Sequence, residues 1–556
     1  MNHAFKLIWS RTLGMLIPVA EVMRAVGHGG RRLSPRAVRR LALRRGLAGG
    51  AGGVALVLVP AVALALPQGG QVTAGSARIA RSGNTLTITQ TSNKTAIDWQ
   101  GFSIGAGQSV QFRQPGASSV ALNRVLGSDP SQIYGHLTAN GQVFLVNPNG
   151  VYFAPGASVD VGGLVASTRA ITDRDFMAGK YHFTGTSTAS VVNRGTIKAA
   201  EGGYVAFIGG QVDNAGRIVA PGGTVALGAG GTIDLTLAGG SLVHFEVSRA
   251  TLSAEVKNGG AIIAHGGVVL LSAAAKDALL RTVVNQSGIV EAGSAVSQGG
   301  TITLLGGSSG TVSVSGRLDA SAATGAGGAV AVSGAHVVVA HGGRIVATGA
   351  IRGGTIAVGG GVHGAGSLPP AQTVTIASGA VLDARATRAG AGGVVSVWSD
   401  VKNPASVTRV AGTILASGAG GGQGGFVETS GHRLDITGAA VRTGGGTWLL
   451  DPYDVTIASG NASGTAFPST SPYTYTPGSA STILNTSIDA ALNAGNNVVI
   501  QTTGTAGSSN GNITVNAPIA WSANAGLTLN AAGNISINAP ISATGSAPSL
   551  TLDYGQ

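Results

Sequence analysis

Short segments in which apolar and polar residues alternate recur along most of this chain. Residues 301–304 (TITL) and 354–358 (GTIAV) are examples, with an aliphatic residue at every second position of the strand. Because successive side chains of a β-strand point to opposite sides, a period of two predicts half-buried strands. The alternation therefore predicts an all-β protein built from short strands.

These strands belong to a longer module that contains a turn, an apolar strand, a Gly-Gly step and a second strand. The module occupies residues 193–207, 214–227 and 258–270 and then continues. Its opening glycines are Gly195, Gly216, Gly260, Gly288, Gly316, Gly343, Gly379 and Gly412. Most are 21 to 36 residues apart, and the one step of 44 residues is interpreted as two units of 22. A repeat of this length predicts a solenoid, whose units bury their apolar faces only against neighbouring units.

A glycine pair follows each opening glycine, for example at Gly222-Gly223 and Gly266-Gly267. Glycine adopts a positive φ without a steric penalty, so such a pair suits a corner between two strands. We therefore predict a right-handed parallel β-helix. The alternative, a disordered chain of low complexity, is disfavoured by the regular Val- and Ile-rich strands.

Positive charge is concentrated in the first 65 residues. Ten of the 34 Lys and Arg residues of the chain and one of its 22 acidic residues lie there. An arginine-rich stretch precedes the apolar run 54–59, and Ala63 and Ala65 are the small residues expected at a cleavage site. We predict a secretory signal peptide that is removed between Ala65 and Leu66.

The charge and residue types of the rest of the chain exclude several classes of function. Without the leader the net charge is +3, so we expect no nucleic-acid partner. The chain has no cysteine, which excludes disulfides, thiolate metal sites and cysteine nucleophiles. The acidic residues are scattered, and the ten histidines have no paired metal-ligand spacing. We therefore expect neither enzymatic activity nor a cofactor or metal.

Four motifs follow the predicted cleavage site in series. They are residues 66–72 (LPQGGQV), 121–125 (ALNRV), 141–151 (GQVFLVNPNGV) and 162–168 (GGLVAST). Together they resemble the secretion domain of two-partner-secretion exoproteins of the filamentous haemagglutinin type, over roughly residues 66–310. Residues 1–30, with an N-x-x-F-x-x-I-W pattern, resemble the extended signal peptide region of large Gram-negative exoproteins.

The resemblance implies an N-terminal β-helical secretion domain and release to the surface or surroundings of a Gram-negative cell by way of the periplasm. The implied partner is an outer-membrane β-barrel transporter. The residues to which the resemblance assigns a role in secretion are Asn123, Arg124, Val125, Asn147, Pro148, Asn149 and Gly150. Residues 147–150 also predict a rigid turn, because proline fixes φ and asparagine side chains bond to nearby backbone. The sequence leaves open whether these residues contact the transporter or only stabilise the fold.

We predict five parts: the leader 1–65, the secretion domain 66–310, β-helix repeats 311–446, a junction and linker 447–480, and further repeats 481–556. The bulky segment 447–457 (TWLLDPYDVTI) interrupts the repeat, and we expect Trp448 and Tyr453 to cover the end of a coil stack. Recurring asparagines after residue 497 predict stacked amide ladders. Since no capping or anchor motif is visible, we expect the chain to be a fragment of a larger exoprotein.

Two main classes of function remain. The first is a secreted adhesin, which contacts a receptor or glycan on host or neighbouring cells. The second is an exoprotein that binds a haem carrier of the haemopexin type, as some relatives of this family do. The stem of a contact-dependent toxin is a third alternative. Family frequency favours the adhesin, and the insertions 168–190 and 358–370 have no readable ligand chemistry.

Overall fold

The computed structural model describes residues 5–10, 15–20, 66–252, 254–276, 282–295, 299–459, 481–503 and 511–555. The chain forms two compact units, residues 1–61 and 62–556. In the first unit, Phe5–Ser10 and Met15–Ala20 form an antiparallel pair of strands. The second unit contains the repeats.

The second unit is a parallel β-helix, as predicted. From Ser109 to Asp435 each coil contributes one strand to each of three faces, and each strand pairs in parallel with the strand one coil later. Ser158–Ser167 and Thr196–Gly209 bend from the first face to the second. The stack continues without a break across residue 310, because Thr301–Leu305 pairs with Ala329–Ser333.

The first face holds, besides the bent strands, Thr85–Gln90, Ser109–Arg113, His136–Ala139, Arg217–Val219, Ala261–Ile263, Ile289–Glu291, Arg317–Asp319, Arg344–Val346, Val381–Asp383, Thr413–Leu415 and Ala440–Arg442. The second face holds Lys94–Trp99, Val120–Val125, Gln142–Val146, Thr224–Ala229, Val268–Ala273, Thr301–Leu305, Ala329–Ser333, Thr355–Val358, Val394–Trp398, Phe426–Gly431, Thr447–Pro452, Asn497–Gln501, Gly526–Ala531 and Ser549–Tyr554. The third face holds Ser131–Ile133, Val151–Phe153, Ser190–Asn193, Gln211–Asn214, Glu255–Asn258, Thr282–Gln286, Thr311–Val314, His336–Val339, Thr373–Ile376, Val407–Val410 and Arg433–Asp435.

Antiparallel strands cover the N-terminal end of the helix. Gln71–Ala74 pairs with Lys94–Trp99, and Ala77–Ser82 forms a hairpin with Thr85–Gln90. A solenoid needs such a terminal element, because its first coil has no preceding neighbour to bury its apolar face.

The interior follows the alternation seen in the sequence. Every second residue of a strand points inward, as Ile302 and Leu304 do, and is fully buried. Polar side chains also stack inside. Asn193, Asn214, Asn258 and Gln286 form a ladder in which each amide nitrogen donates to the next side-chain oxygen at 2.7–2.8 Å. Of the amide ladder predicted near the C-terminus, the described residues contain one exposed pair, in which Asn538 Nδ2 donates to Asn516 Oδ1 at 2.9 Å.

Glycine is required at the Gly-Gly pairs for a second reason besides backbone conformation. Gly266 has a φ of +70°, as predicted for a corner, and a Cβ atom there would meet nothing within 4 Å. A Cβ atom on Gly267 would lie 2.0 Å from the carbonyl oxygen of Gly223, one coil earlier. The first glycine is thus required by its conformation and the second by the close stacking of coils.

The 44-residue step is one coil and not two, so that interpretation is wrong. Gln211–Asn214 pairs directly with Glu255–Asn258. The additional residues form the hairpin Thr232–Ala238 and Ser241–Arg249, which joins Tyr181–Thr184 in a three-stranded antiparallel sheet. This sheet packs on the outer side of the second face, together with the helix Asp173–Met177.

The segment that contains Trp448 is part of the stack. Thr447–Pro452 pairs with Phe426–Gly431 on one side and with Asn497–Gln501 on the other. Trp448 is therefore an interior residue, and its Nε1 donates to Thr429 Oγ1 at 3.1 Å. The expectation that it covers the end of a stack is wrong, because coils continue on both sides.

The coils after residue 455 use shorter sheets. Ser481–Leu484, Val455–Ala458, Ile513–Val515 and Ile535–Ile537 form one sheet, and Ile519–Trp521 pairs with Ile541–Ala543. The helix Asn485–Asn493 buries Ile488 and Leu492 against the stack. Residues 460–480, which include most of the predicted linker, lie outside the described residues.

Candidate secretion site

Asn123 is an internal residue of the β-helix. It lies on the strand Val120–Val125 and has no exposed surface. Its Oδ1 accepts a hydrogen bond from Trp99 Nε1 at 3.0 Å, and its Nδ2 lies 3.3 Å from the carbonyl oxygens of Ala121 and Phe144. A buried amide is tolerated when its donors and acceptor have partners. Asn123 therefore holds Trp99 in position inside the helix.

Arg124 is the next residue and points outward. Its guanidinium contacts Asp98 on the neighbouring strand at 2.7 Å and Asp173, the first residue of the short helix, at 2.8 Å. These three side chains are partly buried, so their charges are shielded less from one another than on an open surface. Arg124 thus joins the second face to the insertion that follows residue 168. Val125 points back into the core beside Trp99.

Residues 147–150 form the predicted turn between the second and third faces. Gly150 N donates to Asn147 O at 3.0 Å, and Asn149 N donates to Asn147 Oδ1 at 2.9 Å. Gly150 has a φ of +119°, a conformation that disfavours residues with a Cβ. Asn147 is fully buried, whereas Pro148 and Asn149 are exposed.

The turn is bound to the turns of the adjacent coils. Asn147 Nδ2 donates to Asp129 O at 2.9 Å and to Ser131 Oγ at 3.0 Å in the preceding coil. Asn149 Nδ2 donates to the carbonyl oxygen of Gly127 at 2.8 Å. From the following coil, Ser187 Oγ donates to Pro148 O at 2.5 Å. Three successive turns therefore form one corner, which we call the turn corner (residues 126–130, 147–150 and 185–189).

A second hydrophobic core lies beneath the three-stranded sheet. Its aromatic members are Phe144, Phe176, Tyr181, Phe183, Tyr204 and Phe245. Tyr204 is completely buried and its hydroxyl donates to Gln142 Oε1 at 2.7 Å. The sequence did not predict this core, since its residues come from two insertions and six coils. The only available signal was the aromatic clustering within 176–183.

Arg169 connects the two insertions. It has no exposed surface, and burial lowers the pKa of its guanidinium. Its Nε donates to Gly230 O and its Nη1 donates to Ser187 O, each at 2.7 Å. Because Ser187 also contacts Pro148, Arg169 links the turn corner to the antiparallel sheet.

The predicted cleavage site is described only in part. Leu66 is buried at the start of the described β-helix, whereas Ala63 and Ala65 lie outside the described residues. The cleavage position stays a prediction. Within the described ranges, no group of three or more His, Asp or Glu residues could hold a metal ion, and no helix is long and apolar enough to span a membrane.

Two protein families match this chain. Residues 1–61 match the family described as the extended signal peptide of the type V secretion system, and residues 63–320 match the TPS (two-partner secretion) secretion domain. The boundary between the two matches lies close to the predicted cleavage site. Together they indicate a secreted protein that a Gram-negative bacterium exports through its periplasm.

Similar proteins agree with the family matches. A heme/hemopexin-binding protein of Haemophilus influenzae is 36% identical over 238 residues, which are 41% of this chain and 23% of that protein. A second protein of that name and species is 48% identical over 99 residues, which are 18% of this chain and 11% of that protein. The matched part is thus less than a quarter of each relative.

A solved structure extends the likeness to the fold. The crystal structure of the HMW1 secretion domain from Haemophilus influenzae is similar with a TM-score of 0.62 and 31% identity, over 69% of this chain and 100% of that chain. Since the whole of that domain is covered, its family is also that of this chain. The chain belongs to the two-partner-secretion exoproteins.

Proposed function

We propose that this exoprotein, once outside the cell, binds a haem-carrying protein of the haemopexin class. The observation that carries the proposal is that two relatives, at 36% and 48% identity over the matched residues, are named heme/hemopexin-binding proteins. The sequence left this function open as the alternative to an adhesin, and the two named relatives give it more support than family frequency gives the adhesin.

The surface of the β-helix favours recognition of a carrier protein over binding of free haem. Haem is held by an axial His, Cys, Met or Tyr in a pocket with apolar walls. Three grooves of about 440, 510 and 660 Å³ lie on the described surface, and polar residues and glycines predominate in their linings. His265, Glu291 and Asp319 line the groove of 440 Å³. Such open polar grooves match a protein surface better than a porphyrin ring.

In this proposal the partner transporter recognises the turn corner, and the residues in it and on the strand that leads into it divide into two roles. Asn123, Arg124, Val125, Asn147 and Gly150 support the fold through the contacts described above. Pro148, Asn149 and Leu126 (58% exposed) present their side chains to solvent on the same corner. We assign to these three the contact with the periplasmic part of the transporter, where strand addition to a sheet edge is one physical mode of capture.

The carrier function is tested with the purified exported chain. We expect saturable binding of haemopexin loaded with haem and no binding of free haemin, measured by surface immobilisation of the chain. Serum albumin loaded with haem is the control for nonspecific binding. A chain that binds no haem carrier, together with loss of adhesion to host cells when its gene is deleted, contradicts the proposal and restores the adhesin.

A further inference from the structure

One insertion crosses the outer side of the second face and covers it. This segment, residues 359–370, leaves the strand Thr355–Val358, and we call it the strap. It packs closely on Trp398, since a Cβ atom on Gly360 or Gly364 would lie 2.5 Å from the indole ring. Trp398 points outward from the β-helix but is only 8% exposed. The strap therefore converts part of an outer face into an interior.

The residues beside Trp398 on this face are polar and equally covered. Ser396 pairs in register with Glu428, while Ser430 lies between Trp398 and Asp451. The exposed fractions of these four polar residues, Ser396, Glu428, Ser430 and Asp451, are between 0 and 5%. Outward positions of a solenoid strand normally face water, where carboxylates are well solvated. Two carboxyl groups at outward positions are thus held away from water.

The strap is attached to this cluster through a carboxylate. His363 N donates to Glu428 Oε2 at 2.8 Å, and Ser430 Oγ donates to Glu428 Oε1 at 2.7 Å. His363 has a φ of +53°, a left-handed conformation that is unfavourable for a residue with a Cβ. The contact with Glu428 therefore holds the strap in a strained conformation. Ser396 Oγ is buried beneath it without a hydrogen-bond partner.

The charged groups that act on Asp451 are Glu428 and His363, and Thr503 Oγ1 donates to Asp451 Oδ1 at 2.9 Å. Glu428 and Asp451 are diagonal neighbours on adjacent strands, because Ser430, two residues after Glu428, pairs with Asp451. Two buried carboxylates so placed ionise together only at a cost in free energy. We propose that the strap is controlled by a proton: it stays closed while the carboxyl group of Asp451, beside Glu428, keeps its proton and opens when that proton is lost.

The ionisation of Asp451 agrees with this geometry. The pKa of Asp451 is raised to about 7, chiefly by burial and in part by Glu428, while Thr503 and His363 act in the opposite direction. In the open, hydrated state its pKa returns towards about 3.9. A carboxyl group with a raised pKa in the closed state favours closing at low pH. The closed state therefore loses stability as the pH rises from about 4 to 7, and no further loss follows above that range.

The test uses the absence of cysteine from the natural chain. Ser396→Cys places a single thiol beneath the strap, and its rate of maleimide labelling reports opening. We divide this labelling rate by the labelling rate of the same variant unfolded in urea. The ratio is then independent of how far the thiol itself is ionised at each pH. Thr303→Cys is the matched control, because Thr303 is three coils earlier in the same outward column and is half-buried.

We expect the corrected labelling of Ser396→Cys to rise by up to about tenfold per pH unit between pH 5 and 7 and to level off near pH 8. Addition of Asp451→Asn should remove this dependence and keep the labelling low, while Thr303→Cys should be insensitive to pH. Hydrogen exchange of residues 359–370 in the unmodified chain gives the same readout without a substitution.

Equal protection at pH 5 and 8, or a pH dependence that persists with Asp451→Asn, would overturn the proposal. So would calcium closing the strap at pH 8, since the pair would then hold a cation.

Discussion

Replacing Asn147 by alanine is expected to lower the free energy of unfolding of the secretion domain by about 2–4 kcal/mol. The substitution removes three side-chain hydrogen bonds and leaves the buried hydroxyl of Ser131 and two partly buried backbone groups without these partners. An unsatisfied buried polar group costs about 1–3 kcal/mol. Urea denaturation of the purified chain measures the change, and export should fall with it because the turn corner no longer forms.

Asn149→Ala is the matched control on the same turn. Asn149 is exposed and makes one side-chain bond to Gly127 O, so we expect a loss of less than about 1 kcal/mol. If the transporter contacts this side chain, export falls while stability is kept. Normal stability of Asn147→Ala would contradict the structural role of that residue, and normal export of Asn149→Ala would remove Asn149 from the proposed contact surface.

The second large effect is expected at a glycine where two coils meet. Gly267→Ala places a methyl group 2.0 Å from the carbonyl oxygen of Gly223, and the three nearest atoms are all backbone of Gly223, which no side-chain rotation can move away. We expect a loss of at least about 3 kcal/mol, above the usual range for overpacking, because the β-ladder itself must separate.

Gly266→Ala separates this steric effect from backbone strain. Its methyl group meets nothing within 4 Å, so only the positive φ opposes the change, at about 1–2 kcal/mol. Thermal and urea unfolding of both variants give the comparison. A Gly267→Ala chain as stable as Gly266→Ala would show that the coils adjust easily and that their close approach is not required.

The sequence was sufficient to predict the coils because each depends on local features. The alternation in residues such as Ile302 and Leu304 determines which side chains point inward, and the glycine pairs determine the corners. It was not sufficient to interpret the 44-residue step, since an inserted hairpin and an additional coil have the same strand pattern. Only the pairing of Gln211–Asn214 with Glu255–Asn258 distinguishes them.

The candidate site was predictable to a similar extent. The turn at residues 147–150 follows from proline and asparagine chemistry, and the structure contains it. The contact between Arg124 and Asp173 could not be predicted from the sequence. Asp173 lies 49 residues away and reaches Arg124 only through an insertion that folds back on the second face. The burial of Glu428 has the same origin, since it depends on a strap that begins more than 60 residues earlier.

A secretion assay decides whether this chain leaves the cell through a partner transporter. The chain is expressed with and without its cognate outer-membrane β-barrel, and the product is sought in the medium and in the periplasm. We predict release only in the presence of the transporter, with Leu66 as the first residue of the product. Accumulation in the periplasm regardless of the transporter would contradict the account.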